Sequence, residues 1–218
     1  MIREKVRVMA DKWKDNQKVA FLSCMLIGLV THGYMYFNKL SWHDDMTLTH
    51  IGGTYASGRW FLGVIEWLVN QCGGYYSLPV LQGCVSLFFI ALSAMLVVDM
   101  LKITKKPLVV LTAGMMIAIP VMTALYAYMF TAAAYSLSIL GVYFTWKIKG
   151  IQGILLGMGA ICLGMGCYQA YVSAAVCMAC MISYLDIVDN PDIGLRKLVG
   201  GGYLNMHVRY LADFFFIS

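Results

Sequence analysis

The chain has 218 residues, 61% of them hydrophobic and 12% charged, and a formal net charge of +5. Soluble proteins average about 45–50% apolar and about 25% charged residues, so this chain has too little polar sequence to cover the outside of a water-soluble enzyme. Low charge and abundant aromatic residues also exclude intrinsic disorder, which leaves a polytopic, all-α membrane protein.

Residues 1–18 form a basic segment holding Arg3, Lys5, Arg7, Lys12, Lys14 and Lys18. The first uncharged run, 19–37, is long enough to cross a bilayer. It lacks a small-residue cleavage site and reads as a retained span rather than a signal peptide. Residues 38–74 make the one long connection. Within it Leu48, Ile51 and Tyr55, then Phe61, Leu62, Ile65, Leu68 and Val69, recur at near-helical spacing on either side of Ser57-Gly58. That pattern predicts two short helices lying at the membrane interface. A second span is expected over 76–98.

The next uncharged stretch, 107–146, would measure about 60 Å as one helix at roughly 1.5 Å per residue, far more than a bilayer core. It must fold back near 126–131, giving spans at 108–126 and 130–147, and Pro120 is expected to kink the first of them. By the same reasoning 150–185 turns near 166–169, giving spans at 151–166 and 168–186. Gly153, Gly157, Ala160 and Gly164 have the small-x-x-x-small spacing of closely packed membrane helices. The tail 199–218 is too short and too charged to span. The chain stops where a seventh helix would follow, so it reads as a portion of a longer protein.

The cations test this count of six spans. With the N-terminus in the cytoplasm, Lys102, Lys105, Lys106, Lys147, Lys149, Arg196 and Lys197 fall inside, and only Lys39 and Arg59 fall outside. One missed span would invert every later loop. The expected organisation is a cytoplasmic segment 1–18, a transmembrane domain 19–186 with external loop 38–74, and a cytoplasmic segment and tail 187–218. Basic residues spread in this way are an orientation signal, so the partner is the lipid bilayer and no nucleic acid is expected.

Seven cysteines, at 24, 72, 84, 162, 167, 177 and 180, lie almost wholly in apolar runs. Cys177-x-x-Cys180 has neither a neighbouring histidine nor a second pair, and the cysteines read as buried structural thiols. The sequence has no phosphate-cradling glycine loop, no H-E-x-x-H and no nucleophile elbow; no cofactor is expected, no metal site is evident, and use of a divalent metal is left open.

Three groups of residues carry candidate chemistry. Trp42-His43-Asp44-Asp45 follows the first span, and two adjacent carboxylates beside a low-dielectric region repel each other and lose hydration. One reading makes a carboxylate a general base. The other makes Asp45 a helix N-cap, which accounts for one acid but not for both. Gly58-Arg59-Trp60 offers a guanidinium that can clamp a lipid phosphate, although interfacial anchoring by Arg and Trp explains the same residues and is favoured by composition. Tyr126, Tyr128 and Thr131 top one hairpin, and Tyr168, Gln169 and Tyr171 top the next. Aromatic hydroxyls and an amide there suit a sugar, and an aromatic belt also explains the tyrosines. Glu66 is read as facing water, and His32 and His50 as structural.

Ser41-Trp42-His43-Asp44-Asp45, Thr54-Tyr55-Ala56-Ser57-Gly58-Arg59-Trp60, Tyr76-Ser77-Leu78-Pro79, Met129-Phe130-Thr131-Ala132 and Tyr168-Gln169-Ala170-Tyr171, in that order over about 30–190, resemble the type II glucosyltransferase family associated with O-antigen glucosylation and serotype conversion. An acidic pair in the first external loop, flanked by interfacial helices, also resembles the GT-C glycosyltransferase plan. The resemblance implies a bacterial inner-membrane enzyme. Its donor would be glucose on a polyprenyl phosphate in the outer leaflet, and its acceptor a cell-envelope glycan.

It further implies Asp44 or Asp45 as the base, Arg59 on the donor phosphate, and Trp42, Tyr126, Tyr128, Tyr168, Gln169 and Tyr171 around the substrates. Members of that family are about twice this length or more. Two other readings stand beside it: a flippase or permease for lipid-linked sugar, which predicts ionisable groups deep in the spans, and a non-catalytic truncated fragment.

Overall fold

The computed structural model describes residues 14–38, 58–71, 79–120, 122, 132–148 and 150–189. Trp42, Asp44, Asp45, Tyr126 and Tyr128, the first of the two expected loop helices, the 126–131 turn and both chain ends lie outside the described residues. Among those described, the regular elements are helices: α1 (Asp15–Phe37), α2 (Trp60–Gln71), α3 (Pro79–Met100), α4 (Lys106–Ala118), α5 (Ala132–Lys147), α6 (Ile151–Cys167), a 3-10 turn (Gln169–Tyr171) and α7 (Val172–Asp189).

Asp15–Phe37, Gly83–Met100 and Gln169–Asp189 are long and apolar enough to cross a membrane, and Lys106–Ala118 and Ile151–Cys167 are apolar but shorter. Three of the six expected spans therefore reach that length and composition among the described residues. Outward-facing positions are as apolar as the core: Leu22, Val30, Leu111, Met115, Ile151, Leu155 and Met181 are all exposed. Such a surface is at home in hydrocarbon and would aggregate in water.

Helix α3 lies at the centre. Its Leu87, Ile90, Ala91 and Ala94 pack with Cys24, Met35 and Tyr36 of α1 and with Ala113 and Ile117 of α4. Its Val97 and Met100 pack with Ile139 and Val142 of α5, Ile161 of α6, and Val172, Ala175, Met178 and Ile182 of α7. A serine pair inside the bundle, Ser93 donating to Ser136 at 3.0 Å, joins α3 to α5, a polar contact well suited to a membrane interior.

Helices α5 and α6 form a close antiparallel hairpin, as the glycine spacing predicts. Gly153, Gly157, Ala160 and Gly164 are all buried on α6. A Cβ at Gly157 would stand 2.7 Å from the Gly141 carbonyl oxygen, whereas one at Gly159 would meet nothing within 4 Å. The helices touch backbone to backbone, which is what small residues permit.

Helix α4 stops at Ala118, the chain bends at Ile119, which is extended at φ −64°, ψ 137°, and helical backbone resumes at Pro120; the bend falls on the residue before the proline, whose ring disfavours the helical conformation there. The released end is held by His32, whose buried Nε2 donates to the Ile117 carbonyl at 2.8 Å; this bears out the structural reading of that histidine. The reading of the cysteines is corrected. Cys24 and Cys167 are buried, but Cys84, Cys177 and Cys180 are exposed on the outside of the helices. An apolar thiol is tolerated on a lipid-facing surface as readily as inside, so apolar surroundings in sequence do not imply burial.

Candidate functional site

The two ends of the bundle differ in chemistry. At one end α3 closes with Lys102 at φ 52°. Lys102 N–H donates to the Asp99 carbonyl and Ile103 N–H to the Val98 carbonyl, a Schellman termination that turns the chain tightly into α4. This brings Lys102 to Asp189 of α7, Nζ to Oδ2 at 2.7 Å, and the hydrogen bond that Lys102 donates to Asp189 holds its amine above the usual lysine range. Asn16 of α1 donates to the carbonyls of Ile103 and Thr104.

Asp99, with only 4% of its side chain exposed, takes Lys14 at 2.7 Å on Oδ1 and Lys147 at 3.5 Å on Oδ2. Tyr143 donates to the same Oδ2 at 3.3 Å. One carboxylate thus ties α1, α3 and α5. Reading uncharged stretches misses this group, because Asp99 is the residue that ends one. A lone acid bordering an apolar run and facing several lysines at the same expected depth is the signal that would have found it.

The opposite end carries Gly58, Arg59, Trp60, Tyr168, Gln169 and Tyr171. Gly58 sits at φ +74°, a backbone that side chains rarely adopt, and a Cβ there would stand 3.0 Å from the Gln169 amide nitrogen. The half-buried Arg59 guanidinium lies 4.7 Å from the centroid of the Tyr168 ring. Tyr168 in turn lies 5.5 Å from Tyr171, and Tyr171 meets Tyr135 of α5 edge to face at 5.9 Å. Three aromatic rings therefore lead from inside the bundle to a cation at its end. Helix α6 stops at Cys167, Tyr168 is extended at φ −160°, and the 3-10 turn follows, so Tyr168, Gln169 and Tyr171 are gathered in one short turn.

Stacking on Tyr168 engages the face of the guanidinium and leaves its N–H edge for an anion. Among the described residues no carboxylate lies within ion-pair distance of Arg59; the ion pairs there are those of Lys14, Lys102 and Lys147. Phenolic hydroxyls and the exposed Gln169 amide add donors and acceptors suited to an oxygen-rich ligand. Of the expected site residues, then, Arg59, Tyr168, Gln169 and Tyr171 are brought together. Tyr135 joins them without having been singled out, because its place depends on how α5 packs and not on any motif. Trp42, Asp44, Asp45, Tyr126 and Tyr128 lie outside the described residues.

A family model described as "Glucosyl transferase GtrII" matches residues 33–208, a stretch that contains all of this cluster. No curated protein matches the chain, and no solved structure does.

Proposed function

The chain belongs to the glucosyl transferase GtrII family, and from that premise we propose that it moves a glucosyl residue from a polyprenyl-phosphate donor to a cell-envelope glycan at the outer face of a bacterial inner membrane. The observation that carries this reading is Arg59 stacked on Tyr168 beside Gln169, a cation and sugar-suited groups at one end of an apolar bundle. Lys14, Lys102 and Lys147 lie together at the other end. That segregation supports six spans with the lysine end in the cytoplasm, because cationic loops stay inside.

In this reading Asp44 or Asp45 removes the proton from an acceptor hydroxyl, whose oxygen attacks the anomeric carbon of the donor. The bond from that carbon to the phosphate oxygen breaks, the configuration inverts, and polyprenyl phosphate leaves with the electron pair. One carboxylate is enough for a single displacement. The leaving group is already a stabilised anion and gains more from a nearby cation than from a proton, which is the role of Arg59. Tyr168, Gln169 and Tyr171, together with Trp42, Tyr126 and Tyr128, line the sugars. An outer location suits a lipid-borne donor.

The test is transfer of radiolabelled glucose from polyprenyl-phosphate glucose to envelope glycan in membranes that carry the chain. General-base removal costs about a hundredfold or more, so at least one of Asp44→Asn and Asp45→Asn is expected to lose transfer on that scale at unchanged membrane abundance. Full transfer by both variants rejects the base assignment.

A further inference from the structure

Segments 58–60 and 166–169 run past each other with their contacts in reverse order. Gly58 faces Gln169, Arg59 faces Tyr168, and Trp60 faces Gly166. The last contact is the closest. Gly166 is buried one residue before the end of α6, and a Cβ there would stand 2.6 Å from Trp60 Cε2, 2.8 Å from its Nε1 and 2.9 Å from Phe61 Cβ. Trp60 opens helix α2, and its ring is braced against Phe61 with centroids 5.5 Å apart. Phe61 Cβ is fixed to helical backbone and cannot yield alone, and the Trp60 indole, 44% exposed, can relieve the contact only by swinging outward off the end of α6.

We infer that Gly166 is a positioning residue: its missing side chain seats Trp60 and the start of α2 on the end of α6, and thereby sets Arg59 over Tyr168 at the distance the transfer step requires. The inference rests on the proposed glucosyl transfer and names what controls the placement of its cation. The leverage is short. Arg59 is bonded to Trp60 and Tyr168 lies two residues beyond Gly166, so a push at the glycine reaches the guanidinium through a single peptide unit. Misplacing a catalytic group by about an ångström costs on the order of a hundredfold in rate.

Two readouts test this. In a background whose native cysteines are replaced by alanine, the pair Arg59→Cys and Tyr168→Cys is expected to cross-link readily on mild oxidation. Adding Gly166→Ala is expected to slow cross-linking at least tenfold, and adding Trp60→Leu as well is expected to restore most of it. In the transfer assay, Gly166→Ala is expected to lower kcat at least tenfold with KM for the polyprenyl-phosphate donor changed less than threefold. The Gly166→Ala/Trp60→Leu chain is expected to recover, and Gly159→Ala, which adds its methyl to open space on the same helix, is expected to match the parent. Cross-linking and kcat both unaffected by Gly166→Ala would overturn the inference. Cross-linking that responds while neither the parent nor the Arg59→Ala chain transfers glucose would overturn the functional reading and confine Gly166 to packing.

Discussion

Replacing Arg59 with alanine is expected to lower glucosyl transfer by about a hundred- to a thousand-fold, the usual effect of removing one preorganised donor to a developing anion. The loss is expected in kcat more than in KM, because negative charge on the departing phosphate grows as the glycosidic bond breaks, and a group aimed at that charge acts mainly in the transition state. Arg59→Lys keeps the charge and loses the planar face that stacks on Tyr168 and the forked donor edge. It is expected to recover only part of the rate. Tyr168→Leu, which removes the ring beneath the guanidinium, is expected to fall between the two. Steady-state transfer measured against donor concentration checks all three. An Arg59→Ala protein that transfers glucose at the parent rate would show that the residue merely anchors the loop.

The second large effect concerns stability and has an unusual asymmetry. Asp99 is almost wholly buried, whereas its partners Lys14 and Lys147 are 70% and 49% exposed. Removing both cations by Lys14→Ala/Lys147→Ala leaves a buried carboxylate with no counter-charge and the Tyr143 hydroxyl as its remaining partner, with an expected cost of about 3–5 kcal/mol. Removing the acid by Asp99→Asn strands nothing, since both ammonium groups keep their water, and the expected cost is about 1–2 kcal/mol for hydrogen bonds weakened or lost. Combining Asp99→Asn with the two lysine changes should therefore restore stability relative to the lysine variant alone. Thermal unfolding of the detergent-purified proteins measures this ordering. An Asp99→Asn chain less stable than the double lysine variant would contradict it.

The features that were legible in the sequence follow from the membrane's dimensions and from spacing. A charge-free stretch from 150 to 185 has to fold back, and it does so at Tyr168–Tyr171, close to the turn expected at 166–169. The buried glycine face of α6 was equally visible, because small residues at four-residue intervals have few other uses. What stayed hidden depended on how helices apolar on every side choose their neighbours. Cys177 and Cys180 point outward although no polar face on α7 marks that side, and a helix without amphipathic contrast gives no clue to which face packs. The register of Gly58, Arg59 and Trp60 against Gly166, Tyr168 and Gln169 joins segments about a hundred residues apart, and no local spacing encodes it. Pro120 was legible as the break in its span, and the chain bends at Ile119, the residue before it.

The central claim is one of sidedness: the Arg59 and Tyr168 end meets the outer aqueous phase, and the Asp99 end meets the cytoplasm. Single cysteines at Ala170→Cys and Thr104→Cys, both exposed positions placed in a cysteine-free background, test it with a membrane-impermeant maleimide on intact spheroplasts. The account predicts that Ala170→Cys is labelled at once and that Thr104→Cys is labelled only after permeabilisation. Labelling of Thr104→Cys in sealed spheroplasts, with Ala170→Cys protected, would contradict it.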